Sequence, residues 1–136
     1  MTGTDTLALD GSRTVASSLE QNGHTYVETR ITGSAGLIGR EVTQALVAHG
    51  HEVLATDRVK NDLSPALNFV VGDLESSDFV SSLDFACDAV VHLGSIPSPV
   101  TDSDEKVFRN NVMGTYHVFA AAAEKKVPLV IYASSL

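Results

Sequence analysis

The stretch ITGSAGLIGREV, Ile31 to Val42, places glycines at 33, 36 and 39 between a strand-like run and the start of a helical pattern. This spacing suits a loop that feeds a strand into a helix N-terminus. Unpaired N–H groups and the positive end of the macrodipole there hold an anion without any basic side chain. Gly33 permits the tight turn, Gly36 lets the backbone approach a phosphate, and Gly39 lets helix and strand pack closely. The next strand-like run, HEVLAT, is followed by Asp57, 18 residues beyond Gly39. A dinucleotide fold needs a carboxylate at that point for the adenosine ribose hydroxyls. A carboxylate repels a 2′-phosphate and so favours NAD over NADP, whereas Arg58 beside it is suited to stack on adenine or to neutralise that phosphate. A glycine-rich turn and a polar strand end, with no ligand, would use the same residues.

The elements that must position these residues alternate along the chain. Strand-like runs VETRIT, HEVLAT, NFVVG, DAVVHLG and PLVIYAS are separated by helical stretches. GLIGREVTQALVAHG puts Leu37, Ile38, Val42, Leu46 and Val47 on one helical face and ends on the cap Gly50. DSDEKVFRNNVMGTYHVFAAAAEKK predicts a longer helix. Asp102 and Glu105 resemble a capping box there, and Phe108, Val112, Thr115, Phe119 and Ala122 form an inward stripe. A short helix or turn is expected over Ser77 to Leu83. Strands alternating with helices imply right-handed βαβ units. The expected fold class is α/β: a Rossmann-like doubly wound parallel sheet of about five strands in the order 3-2-1-4-5, truncated before a sixth. FVV, AVV and LVIYA are apolar at consecutive positions, the pattern of strands buried on both faces.

At 136 residues the chain has room for one domain. Residues 1–25, rich in Ser, Thr, Gly, Asp and Asn, read as a loose tail, and residues 26–136 as an incomplete dinucleotide-binding domain. Nine basic against 17 acidic residues give a net charge of −8, which argues against nucleic acid or an anionic membrane as partner. No apolar run approaches the ~20 residues of a membrane span. The N-terminus lacks the basic start and apolar core of a signal peptide, so a cytoplasmic setting is expected. Cys87 is the single cysteine, which excludes an internal disulfide and a cysteine-based zinc site. Beside Phe85, Ala86 and Ala89 it reads as a small buried hydrophobe, and no metal site is expected. His92 reads as structural, and His49 and His51 as solvated residues at a helix C-terminus.

From about Ile31 to Ser135 these motifs resemble those of the extended short-chain dehydrogenases, the NAD-dependent epimerase/dehydratase family. TGSAGLIG resembles the family's TGxxGxxG loop, which implies that Gly33, Gly36, Leu37, Ile38 and Gly39 contact the cofactor, together with Asp57 and Arg58. GDL at 72–74 is similar to the turn after the third strand; the resemblance implies that Asp73 bonds the adenine amino group and Leu74 packs on the ring. VVHLGS at 90–95 resembles the HLAA-type segment, so Leu93, Gly94 and Ser95 are implied to line the ribose beyond the phosphates. NNVMGT at 110–115 is similar to the NVxGT helix motif, with Asn111 implied to reach toward the cofactor. VIYASS matches the strand ending in the family's serine, and the register implies that Ser135 helps to bind substrate and polarise its oxygen. Each motif also has a plainer use: Asn111 bonding neighbouring backbone, Gly114 and Thr115 allowing close helix packing.

The family's hydride chemistry depends on a Tyr-x-x-x-Lys pair, in which the lysine lowers the tyrosine pKa for proton transfer. Tyr26, Tyr116 and Tyr132 are followed four residues on by Arg30, Ala120 and Leu136, so none supplies the pair. The expectation is the cofactor-binding portion of an oxidoreductase, epimerase or dehydratase of sugar-like or nucleotide-sugar substrates, truncated before its catalytic pair and inactive alone. The alternative is a non-catalytic dinucleotide-binding or partner-binding module, or the product of a decayed gene. YVETRIT departs from an apolar first strand: Glu28 and Arg30 must pair or lie at the solvent end, because burying either unpaired costs several kcal/mol. LVIYA, uncharged and at a sheet edge, is expected to promote self-association through residues 129–133.

Overall fold

Val, Ile and Thr recur through the extended segments, and their β-branched side chains suit a pleated surface. The computed structural model describes residues 20, 21, 23–60, 62, 68–97, 100 and 102–134. Glu20–Gln21 (β1) pairs antiparallel with His24–Thr25 (β2), so the end of the expected tail is a small hairpin; residues 1–19 lie outside the described residues. The main sheet contains Glu28–Thr32 (β3), Glu52–Asp57 (β4), Asn68–Val71 (β5), Ala89–His92 (β6) and Leu129–Tyr132 (β7). All four pairings are parallel, in the order β5-β4-β3-β6-β7, which is the doubly wound order expected. The helices are Leu37–Ala48 (α1), Ser77–Ser82 (α2), Asp104–Phe108 (α3) and Thr115–Glu124 (α4), and a π-helical turn, Arg109–Gly114, joins the last two. No helix among the described residues is long and apolar enough to cross a membrane.

Consecutive residues of a strand face opposite sides, so the sheet carries two cores. Ile31, Val53, Ala55 and Val91 are buried on one face, with Val42 and Leu46 of α1 against them. Val90 belongs to the other, with Leu74, Val80, Leu83, Phe85, Cys87, Val118 and Ala122. Burial pushes the Cys87 thiol up to about 11, so it stays protonated and apolar in character. β6 is buried throughout. The two outer strands are not: Phe69 and Val70 of β5 pack against opposite cores while Val71 is exposed, and every residue of β7 is 38–50% exposed.

Several expected packing faces shift. In α1 the buried stripe is Gly39, Val42, Thr43 and Leu46, whereas Leu37 is 91% and Ile38 65% exposed. Gly39, seated on the glycine loop, sets the contact line, and the two residues before it point away from the sheet. In the long helical segment the buried positions are Asn110, Gly114, Val118 and Ala122. Phe108 is largely exposed and Val112 and Phe119 remain 47% and 40% exposed, because the π turn takes more than 3.6 residues per turn and rotates the inward face. The helix cap is Ser103, whose Oγ accepts from Lys106 N at 3.3 Å, while Asp102 pairs with the Lys106 ammonium. His51 is not merely solvated: its Nδ1 accepts from Val27 N. The polar first strand is accommodated by pairing. Arg30 donates from Nε to Asp84 O and lies 3.5 Å from the Asp84 carboxylate, while Glu28 N donates to Asp88 Oδ2 at 2.8 Å and Asp88 N to Glu28 O at 2.9 Å.

Candidate functional site

Four segments meet at the C-terminal end of the sheet: the glycine loop after β3, the end of β4, the turn after β5 and the loop after β6. Gly33 has φ 72°, a left-handed conformation, and a Cβ there would lie 2.4 Å from Leu93 C, so no other residue fits without backbone movement. A Cβ on Gly39 would lie 2.0 Å from Gly33 O; the missing side chain lets α1 start directly on the loop. Gly36 is different. Its φ is −70° and the nearest atom to a Cβ is Gly33 O at 3.4 Å, an ordinary contact. The protein's own packing leaves that space open, beside a helix N-terminus that no side chain caps.

Ser34 is buried, with its N–H and hydroxyl both donating to Thr56 O at 3.2 Å, which ties the loop to β4. Asp57 completes the tie: Oδ2 accepts from Ala35 N at 2.9 Å and Oδ1 from Arg58 N at 2.6 Å. A carboxylate offers about four lone-pair sites, so each oxygen keeps one for a further donor such as a hydroxyl. A cleft of about 250 Å³ opens beside these groups. Gly33, Gly36, Asp57 and Arg58 form one side, and Leu74, Leu93, Gly94 and Ser95 line the remainder.

The other candidates fall elsewhere. Gly39 lies beneath the loop, and Leu37 and Ile38 extend from the helix start into solvent. Asp73 Oδ1 accepts from Glu75 N, capping its own turn, while its neighbours Gly72 and Leu74 face the cleft. Asn111 clamps the loop after β6, accepting from Ile96 N at 2.8 Å and donating to Ile96 O at 3.0 Å. Ser135 lies outside the described residues. Asn110, which the sequence motif did not single out, is the asparagine that lines the cleft. Its Nδ2 donates to Gly94 O and to Asn111 Oδ1, so both amide hydrogens are engaged. The doubled Asn in NNVMGT was the available signal, but a motif match fixes the residue type and not which of two neighbours a π turn aims at the cleft.

Behind the cleft, His92 is fully buried. Its Nδ1 lies 2.6 Å from Thr32 Oγ1 and its Nε2 2.9 Å from Thr115 Oγ1. Tyr132 stacks on the ring at 5.4 Å between centroids. Burial pushes the imidazole pKa down to about 4, so it is neutral at physiological pH.

The cleft thus joins an uncapped helix N-terminus, a carboxylate with acceptor capacity left and the apolar side chains of Leu74 and Leu93. The chain matches the model of the NAD dependent epimerase/dehydratase family over residues 30–136. It is 31% identical over 105 residues to an L-arabinose 1-dehydrogenase (NAD(P)(+)) of Haloferax volcanii, covering 77% of this chain and 39% of the relative. A short-chain dehydrogenase/reductase superfamily protein from Agrobacterium tumefaciens, solved with bound NAD, superposes with a TM-score of 0.71 at 33% identity. That match covers 79% of this chain and 32% of the solved one. The UDP-glucose 4-epimerase of Thermus thermophilus, solved with NAD, gives 0.72 at 27% identity, covering 79% and 37%. The chain therefore spans between about a third and two-fifths of the length of these proteins.

Proposed function

The chain belongs to the NAD-dependent epimerase/dehydratase family, and on that premise we propose that the cleft between the glycine loop and the Leu93–Ser95 wall holds NAD. The observation that carries the reading is Gly36. The fold does not require a glycine there, yet a side chain would fill the space in front of the uncapped helix N-terminus. In this reading the backbone of Gly33, Gly36, Leu37 and Ile38 holds the pyrophosphate and Gly39 brings the helix within reach. Asp57 accepts from the adenosine ribose hydroxyls, and Arg58 lies over the adenine. Leu74 packs on that ring, with Asp73 toward its amino group. Leu93, Gly94 and Ser95 line the second ribose, with Asn110 behind them, and Asn111 holds their loop in place. NAD supplies a nicotinamide that takes or returns a hydride.

The proposal for the whole protein is oxidoreduction or epimerisation of a sugar-like substrate, with Ser135 polarising the substrate oxygen. A reducing cytoplasmic setting is part of it and accords with the free, buried Cys87. Calorimetry with NAD and NADP, on the wild type and on Asp57→Ala, tests the cofactor assignment. NAD is expected to bind more tightly than NADP, with the difference narrowing in the variant. A folded wild type that binds neither refutes the assignment, and equal or tighter NADP binding transfers the preference to Arg58.

A further inference from the structure

The buried imidazole and the two threonines bonded to it each adjoin a different wall of the cleft. Thr32 directly precedes Gly33, and its N–H···O partner across the sheet is Leu93, whose N donates to Thr32 O at 3.0 Å. His92 directly precedes Leu93 and Gly94. Thr115 follows Gly114, which packs on Leu74: a Cβ there would lie 3.1 Å from the leucine Cβ. A neutral imidazole has one donor and one acceptor nitrogen, and a threonine hydroxyl satisfies either. His92 therefore joins both threonines through one ring, with no polar atom of that ring unpaired. The clearances are small. A Cβ on Gly94 would lie 2.6 Å from Leu74 Cδ1, and it would touch Thr32 Oγ1 at 3.4 Å and Gly33 N at 3.5 Å. A movement of Thr32 relative to β6 alters the gap between the glycine loop and the facing wall.

We propose that His92 is a positioning residue for the cofactor cleft, its ring between the Thr32 and Thr115 hydroxyls setting the spacing of the Gly33 loop, the Leu93–Ser95 wall and Leu74. The same ring supports β7: Tyr132 stacks on it, and Ala133 N donates to His92 O at 3.2 Å. Burial fixes the neutral form that the arrangement needs. The inference rests on the NAD reading for its ligand, but its geometry can be measured without one.

Thr115→Val removes one hydroxyl at nearly constant shape, and Thr115→Ser keeps it. Two readouts apply, each at a temperature where circular dichroism shows every variant folded. One is amide hydrogen exchange of the apo protein, and the other is NAD affinity by calorimetry. In Thr115→Val, exchange is expected to accelerate at residues 33–36 and 93–95 while β4 and α1 are unchanged. NAD affinity should fall about threefold to tenfold, the span of one internal hydrogen bond. Thr115→Ser should restore both. Unchanged exchange at 33–36 and 93–95 overturns the proposal, as does wild-type affinity in Thr115→Val or an equal defect in Thr115→Ser. If the wild type itself binds no NAD, the cofactor reading fails, and the exchange pattern alone decides the positioning role.

Discussion

Acid should destabilise this fold through the His92 ring before it protonates the native state. The unfolded chain takes up a proton on that imidazole near the ordinary value of 6.5, the folded chain only near 4. Between those values unfolding binds a proton, so stability falls as the pH falls; the contribution is fully present above about 6.5 and fully lost below about 4. A gap of roughly 2.5 pH units at about 1.36 kcal/mol each makes the whole effect about 3 kcal/mol. About 2 kcal/mol of it is already gone by pH 5. Against a domain stability on the order of 5–15 kcal/mol, this is a large fraction. Urea unfolding between pH 7.5 and 5 measures it, on the wild type beside His92→Gln, whose neutral amide cannot titrate. Carboxylates act on both proteins, so the difference between their slopes isolates the ring. Parallel slopes would refute the reasoning. So would NMR of the folded wild type in which the His92 ring titrates with a midpoint near 6.5, a measurement that does not depend on the variant folding.

The Thr29 hydroxyl oxygen is buried with no hydrogen-bond partner among the described residues. Thr29→Val keeps the shape and should stabilise the protein by about 1 kcal/mol, read as a higher urea midpoint at constant m; a lower midpoint would mean that the hydroxyl has a partner. Gly39→Ala forces a Cβ to within 2.0 Å of Gly33 O and should cost about 3 kcal/mol or more in the same assay. Gly36→Ala should cost no more than about 1 kcal/mol while lowering NAD affinity in calorimetry. Similar stability losses in the two would show that the loop glycines serve packing alone. The four apolar residues of β7 are 38–50% exposed, and among the described residues the strand pairs only with β6. The 136-residue chain should therefore self-associate in sedimentation at tens of micromolar, and Val130→Lys or Ile131→Lys should reduce this. A monodisperse wild-type monomer would remove the edge as the cause.

The sequence by itself determined what depends on local rules and on chain order. Alternation of strand and helix fixes a parallel doubly wound sheet, because crossovers are right-handed and short. Gly33 and Gly50 mark turns because their backbones need positive φ, at 72° and 82°. Asp57 could be placed because the end of β4 lies beside the loop after β3 in any such sheet. The GDL turn and the HLGS loop were found by their resemblance to the family's motifs. Facing and partnership were decided by the tertiary structure. Leu37 and Ile38 look like core on a helical wheel but project into solvent, because Gly39 is the first-turn residue that seats the helix on the loop. Asn110 rather than Asn111 lines the cleft, because the π turn aims Asn110 at it while Asn111 bonds the backbone of Ile96. His92 is one polar letter in an apolar run, and its partners lie 60 and 23 residues away. Only the register of β3 against β6, with α4 packed behind, brings those two hydroxyls to the opposite nitrogens of one ring.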